Sequence, residues 1–424
     1  MIAHIKPTQQ LTGRVQAPPS KSMAHRAVLC AALAKGTSRL HHLEFSQDIQ
    51  ATLGAAAQMG AKVEPQPQGA VITGQGTVGR VCGPVDCCES GSTLRFLVPL
   101  LSLGGGSVEF TGRGRLFQRP MEVYRTIFES QGLRFEQTDH SLTVEGALKP
   151  GDYTLRGDVS SQFITGLMYT LALLKEDSTI TIQPPFESRS YVELTRSAMA
   201  RFGVQTSWLD DQRTQLRIPG GQPFVPQDYQ VEGDYSQAAF FAVLAAVKGG
   251  ISLAGLAPDS LQGDKAILPI LRNCGACWQW QEGELVFQPA PLTATTIDLA
   301  DCPDLGPILM VLAVFCQGTT RIINAQRLRM KESDRIAAME QELSKLGAVI
   351  HSTHDTVTIQ GGLLHAPSQP LQSHNDHRVV MALSVAALCA GIPVEIEGAQ
   401  AVEKSWPTFF DVLGATGAQL EVKP

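Results

Sequence analysis

The sequence predicts an α/β (α+β) protein of two similar domains, each built from three βαβαββ units. Three observations lead to that class. First, a short phrase recurs: a glycine, an alternating strand, a turn and a second alternating strand. Its marker glycines are Gly60, Gly132, Gly203, Gly275, Gly347 and Gly417, separated by steps of 72, 71, 72, 72 and 70 residues. Scattered glycines would not keep that period, so the chain reads as six internal repeats of about 72 residues. Second, apolar residues at helical spacing precede each marker, and period-two alternation follows it. Third, a Pro/Gly-rich stretch at 219–226 falls between copies three and four, dividing the repeats into two groups of three.

Within a unit the elements follow in a fixed order. A polar loop opens an Ala/Leu-rich helix, as at 26–34, 162–174, 238–247 and 379–390. A short strand comes next, for example 180–182 or 394–396. A second polar loop opens an amphipathic helix, as at 334–346, which ends at the marker glycine, a natural residue just beyond a helix C-cap. Two strands joined by a turn close the unit, as in Gly60-Ala-Lys-Val followed by Ala70-Val-Ile-Thr. Read from the residues, the helices cover the sheets. The sixth copy, Gly417-Ala-Gln-Leu, lacks its second closing strand, and residues 5–15 are expected to supply it. The expected domains are therefore 1–18 with 231–424, and 19–230, with crossings near Pro18-Pro19 and Val231.

Composition narrows the function classes. Of 424 residues, 43% are hydrophobic and 17% charged, enough for sizeable cores. The net charge of −6 argues against a nucleic-acid coat, which needs a basic balance. No apolar run approaches the ~20 residues needed to span a bilayer. The start, MIAHIKPTQQ, has no basic and apolar signal pattern. Nine cysteines in a chain read this way suggest reduced thiols in the cytoplasm. Cys274 and Cys277 flank a marker glycine and read as packing positions, because no second pair stands at zinc spacing. Gly74, Gly76 and Gly79 match G-x-G-x-x-G, but no helix follows, so they read as a turn. His374-x-x-His377 lacks further ligands for a metal.

The unusual polar residues collect at helix starts. First helices open at Pro19-Ser20-Lys21-Ser22 with Arg26, at Glu89-Ser90-Gly91-Ser92 with Arg95, and at Val159-Ser160-Ser161-Gln162. The later ones open at Asp234, at Asp301 to Asp304, and at Asn375-Asp376-His377-Arg378. Second helices open near Arg119, Tyr191, Lys331-Glu332-Ser333-Asp334-Arg335 and Lys404. Helix N-termini carry free N–H groups and partial positive charge. A single serine there is usually a cap, and a single Lys or Arg a solvated charge. The same residue types at equivalent positions of six units point instead to a cleft between two domains that takes a small, multiply anionic ligand.

These motifs carry a resemblance. Ala17-Pro-Pro-Ser-Lys-Ser-Met-Ala-His-Arg26 resembles the P-x-S-K-S-x-x-x-R opening of the EPSP synthase family of enolpyruvyl transferases. Leu328-Arg-Met-Lys-Glu-Ser-Asp-Arg335 resembles that family's K-E-[ST]-D-R signature, and Ser160-Ser-Gln162 and Asn375-Asp-His-Arg378 match in order. The resemblance covers essentially the whole chain. It implies two domains of three units each, with helices packed inside sheets (an inside-out α/β barrel), closing around shikimate 3-phosphate and phosphoenolpyruvate. It implies transfer of the enolpyruvyl group without metal or other cofactor. No nucleic-acid or membrane partner is expected, and the chain is expected to be monomeric.

By position, the resemblance assigns Lys21, Ser22, Arg26, Ser160, Ser161, Gln162, Ser188, Tyr191, Asp304, Arg327 and Lys331 to shikimate 3-phosphate. It assigns Lys21, Gly91, Arg119, Gln162, Arg335, Arg378 and Lys404 to phosphoenolpyruvate. Asp304 and Glu332 form the implied acid–base pair, with Lys21 as a rival proton donor. The sequence departs from the family pattern at Glu89 and Arg327, where many members have Asn, and at Phe96, where many have Pro. Gly91 leaves room for the inhibitor glyphosate. The nearest alternative, UDP-N-acetylglucosamine enolpyruvyl transferase, typically opens with Lys-Asn and carries a loop cysteine. This chain has Lys21-Ser22 and no cysteine in 112–120. A non-catalytic phosphoshikimate-binding homologue is disfavoured by Asp304, Glu332 and Lys404, and a six-unit DNA clamp by the acidic balance.

Overall fold

The computed structural model describes residues 1–424. Each marker glycine follows a helix end, and all six have positive φ, from 70° to 108°, a region that costs glycine nothing. The Gly60 amide donates to Ala57 O and the Ala61 amide to Ala56 O, both at 3.1 Å, the paired bonds of a Schellman end. The same pair recurs at Gly132, Gly203, Gly275 and Gly347.

The chain divides into two compact units, Lys21–Val231 and Met1–Ser20 with Glu232–Pro424. The first holds helices α1 (Lys21–Leu33), α2 (Gln47–Gln58), α3 (Gly91–Leu101), α4 (Glu122–Ser130), α5 (Ser161–Leu173) and α6 (Arg189–Arg201). The second holds α7 (Tyr235–Lys248), α8 (Ile267–Asn273), α9 (Gly306–Val314), α10 (Arg335–Lys345), α11 (His377–Ala390) and α12 (Phe409–Ala415). There are six four-stranded sheets, three in each unit. In each, the first strand runs parallel to the second and the rest pair antiparallel.

The helices lie inside these sheets, as the resemblance implied, which reverses the reading of helices laid over sheets. All nine residues of α9 are buried, and so are eleven of the thirteen in α1. A helix apolar on every side needs cover on every side. The strands instead alternate, as in Asp152–Arg156, where Tyr153 and Leu155 are buried between exposed neighbours. Each unit has its own core.

The N-terminal segment differs from expectation. Ile2–Ile5, rather than 5–15, completes the sixth unit, pairing antiparallel with both Val394–Glu397 and Leu420–Lys423. Pro7 lacks the amide that a strand paired on both sides requires, so the segment breaks there. Gly13–Gln16 then runs parallel to Ile251–Ala254 in the sheet of the fourth unit. In turn, Asp228–Gln230 runs parallel to Lys35–His41 in the first. The leading strands of units one and four are thus exchanged along the chain. The first helices also begin earlier than periodicity suggested, α1 at Lys21 and α5 at Ser161. Their polar residues form the first turn itself, where backbone N–H groups lack intrahelical partners. No helix is long and apolar enough to cross a membrane.

Candidate active site

In Lys21–Val231 the polar residues stand on the first turns of α1, α3 and α5. Lys21 Nζ lies 2.7 Å from Asp48 Oδ2, in the first turn of α2. Ser90 caps α3, accepting from the Thr93 amide at 3.1 Å, and Ser160 caps α5, accepting from the Gln162 amide at 3.3 Å. Gln162 reaches across to α3: its Oε1 accepts from Arg95 Nη1 at 2.7 Å and its Nε2 donates to Ser92 Oγ at 3.0 Å. The guanidinium of Arg119 lies so close to Gly91 that a methyl there would meet it at 2.7 Å. The missing side chain at Gly91 leaves the room in which Arg119 lies against the start of α3. Ser161 is buried. Ser188, also buried, adopts a left-handed conformation (φ 52°) just before α6.

Arg26 points inward. It is 2% exposed and donates from Nε to Thr195 Oγ1 at 2.9 Å, from Nη1 to Ser22 O at 2.7 Å and from Nη2 to Tyr191 O at 2.9 Å. It ties α1 to α6, and so sets where Ser22 and Tyr191 stand.

In the other unit the centre is Asp304, in the short 3₁₀ turn Pro303–Leu305 that precedes α9. Its Oδ1 lies 3.1 Å from both Lys331 Nζ and Arg335 Nη1, and its Oδ2 lies 3.4 Å from Arg378 Nη2. Burial alone would raise its carboxyl pKa, but Lys331, Arg378 and Arg335 together hold it well below the usual carboxylate range. Burial pushes the Lys331 ammonium down to about 8, against the pull of Asp304 and with help from Arg335 and Arg327. Arg327, on the 3₁₀ segment Gln326–Met330, is itself buried.

Arg335 is 1% exposed and serves three carboxylates: Asp304, Glu332 Oε2 at 2.7 Å and Asp376 Oδ2 at 2.8 Å. Asp376, fully buried, caps α11 through the Arg378 amide at 2.9 Å and also accepts from Ser333 Oγ at 3.0 Å. Lys404 Nζ donates to Asn375 O at 2.6 Å. His374 and Asn375 both have left-handed φ, 50° and 54°. Buried Glu342 holds this loop by accepting from the Gln372 amide at 2.9 Å and contacting His374 Nε2 at 2.9 Å.

Residue by residue, the second unit brings Asp304, Lys331, Glu332, Arg335 and Arg378 to adjoining helix starts, with Arg327 inside the 3₁₀ segment before Lys331. The first does so for Lys21, Ser22, Gly91, Arg119, Ser160, Ser161, Gln162, Ser188 and Tyr191. Lys404 ends the 3₁₀ segment Ala399–Lys404 rather than opening a helix, and meets its group through Asn375 O. Sequence reasoning missed Asp48, Asp376 and Glu342 as supports. Asp376 had a signal, since an Asp directly before a helical run is a favoured cap. Asp48 and Glu342 had none, because their partners stand 27 and 32 residues away. Buried Arg335 and Arg378 and half-buried Lys331 facing the half-buried Asp304 carboxylate, with helix N-termini beside them, suit a ligand bearing several negative charges and a proton to be moved. No cluster of three or more His, Cys, Asp or Glu has metal-binding geometry.

Residues 5–413 match the family described as EPSP synthase (3-phosphoshikimate 1-carboxyvinyltransferase). The chain is 42% identical over 419 residues to a 3-phosphoshikimate 1-carboxyvinyltransferase of Clostridium kluyveri, covering 98% of this chain and 97% of that one. It is 41% identical over 412 residues to the protein of that name from Clostridium novyi, covering 95% and 94%. Among solved structures, EPSP synthase from Acinetobacter baumannii aligns over the full length of both chains with a TM-score of 0.81 and 26% identity. The enolpyruvyl transferase NikO from Streptomyces tendae aligns over 99% of this chain and 98% of its own, with a TM-score of 0.81 and 17% identity, a likeness of fold.

Proposed function

Because the chain belongs to the EPSP synthase (3-phosphoshikimate 1-carboxyvinyltransferase) family, we propose that it transfers the carboxyvinyl group of phosphoenolpyruvate to the 5-hydroxyl of shikimate 3-phosphate. The products are 5-enolpyruvylshikimate 3-phosphate and phosphate. The observation that carries the chemistry is the Asp304 cluster, a single carboxylate held by Lys331, Arg335 and Arg378.

The reaction adds the 5-hydroxyl oxygen to C2 of phosphoenolpyruvate while C3 takes a proton. The tetrahedral adduct then loses a C3 proton and phosphate. Asp304 receives the hydroxyl proton and passes it to the departing phosphate, and Glu332 or Lys21 supplies the C3 proton and takes it back. In the free enzyme Asp304 is a poor base, because three cations stabilise its charge. Substrate phosphate and carboxylate groups arriving among Lys331, Arg335 and Arg378 share that positive charge and raise its basicity toward the working range. The same cations, with Arg119 and Lys404, stabilise the charge of the adduct and the departing phosphate. Lys21, Ser22, Ser160, Ser161, Gln162, Ser188 and Tyr191 hold shikimate 3-phosphate, with Arg26 behind them, and Arg327 and Lys331 meet its ring hydroxyls. Nine free cysteines suit a reducing compartment, the cytoplasm. A core in each unit supports the reading of a chain that acts as a monomer.

Asp304→Asn tests the reading while keeping the side-chain shape. The kcat should fall by at least about 10²-fold, the usual contribution of a general base, with shikimate 3-phosphate still bound. Turnover at the wild-type rate would remove Asp304 from the mechanism.

A further inference from the structure

Eight residues before each marker glycine, every second helix carries one buried side chain. In α8, α10 and α12 these are Ile267, Met339 and Phe409. In α2, α4 and α6 they are Thr52, Tyr124 and Thr195, each fully buried (0% exposed) and each bearing a hydroxyl. Each of these hydroxyls spans two neighbouring first helices. Thr52 Oγ1 lies 2.7 Å from His25 Nδ1 on α1 and 2.7 Å from Thr93 Oγ1 on α3. Tyr124 O–H meets Arg95 O of α3 at 2.6 Å and Phe163 O of α5 at 3.0 Å. Thr195 Oγ1 lies 2.8 Å from Thr165 Oγ1 on α5 and accepts from Arg26 Nε on α1 at 2.9 Å. Three hydroxyls thus close a ring: α1 to α3, α3 to α5, and α5 to α1.

The other unit builds the same architecture with apolar residues at these positions, so the fold does not demand the ring. Apolar contact is non-directional. A hydrogen bond fixes both distance and angle, and a buried hydroxyl must keep its partners. We propose that Thr52, Tyr124 and Thr195 are positioning residues for the reaction. They set the spacing and rotation of α1, α3 and α5, whose first turns carry Lys21 and Ser22, Gly91, and Ser161 and Gln162. This rests on the enolpyruvyl-transfer reading, and it predicts a division of labour. Thr195 joins the two helices that carry Ser22 and Ser161, groups for shikimate 3-phosphate. Tyr124 joins α5 to α3, the helix that begins at Gly91 and carries the phosphoenolpyruvate side of the site, where Gln162 of α5 reaches across to Arg95 and Ser92.

The test is steady-state kinetics of the full-length wild type and of Thr195→Val, Thr195→Ser and Tyr124→Phe, with Tm measured for each. Thr195→Val should raise KM for shikimate 3-phosphate about 5-fold, the value of one net hydrogen bond, and change KM for phosphoenolpyruvate by less than about 2-fold. Tyr124→Phe should show the opposite split, and Thr195→Ser should restore the wild-type value. A lowered Tm with both KM values unmoved, or both moved together, would overturn the proposal while leaving the enzymatic reading intact. If Tyr124→Phe does not fold, the Thr195 pair decides. A wild type without turnover would overturn the reading and this assignment with it.

Discussion

Lys331 stands 3.1 Å from Asp304, yet burial brings its ammonium down to about 8, with Arg335 and Arg327 adding to the push. A cation that meets shikimate 3-phosphate only when protonated gives kcat/KM a basic limb, and that ratio reports the free enzyme. The kcat/KM for shikimate 3-phosphate should therefore fall above about pH 8, because the charged fraction is lost as pH rises through that value. Lys331→Arg, which keeps its charge throughout, should flatten the limb. A limb unchanged in Lys331→Arg would assign the titration to another group. At this scale the sequence was informative about identities and silent about engagements. The motif 331–335 was legible as a cluster of charges. That Arg335 serves Asp304, Glu332 and Asp376 was not, because Asp376 lies 41 residues away and only the fold brings it close. Arg26 likewise reads as an anion ligand in sequence, while its guanidinium donates to Ser22 O and to Thr195 Oγ1 and Tyr191 O, the last two being partners that only the fold brings within reach.

Helix ends were the most legible elements, because a residue forced into positive φ leaves a glycine behind. The helix α2 offers a clean test, since one glycine lies inside it and another just beyond its C-cap, with opposite roles. Gly60 has φ 108° and open space around a would-be Cβ, so Gly60→Ala meets only backbone strain and should cost about 1 kcal/mol. Gly54 lies inside the helix, also with open space, so Gly54→Ala should stabilise by roughly 0.5–1 kcal/mol. Denaturant melts of both variants check the signs, and a stabilising Gly60→Ala would contradict the cap assignment. The N-terminal strand was less legible, because a four-residue strand leaves little periodicity to read. Ile2–Ile5 lies between two partner strands. Removing residues 1–5 should therefore strip a sheet of its interior strand and abolish cooperative unfolding of the unit that contains it. A deletion variant melting like the full chain would show the strand to be dispensable.

For the molecule as a whole, the six-fold period disclosed two sets of three units, and apolar runs in the first helices disclosed large cores. Which layer was inside could not be read from a single helix: an Ala/Leu-rich segment of thirteen residues suits either a covered or a covering position until the sheets around it are placed. The two units share one architecture, but their polar groups differ. One carries the serines, Lys21 and Gln162, and the other the carboxylates with Lys331, Arg335 and Arg378. The most direct test is phosphate release by the full-length chain with phosphoenolpyruvate and either shikimate 3-phosphate or UDP-N-acetylglucosamine. The account predicts stoichiometric release with shikimate 3-phosphate, none with phosphoenolpyruvate alone and none with the nucleotide sugar. Release with the nucleotide sugar, or none with shikimate 3-phosphate, would contradict it.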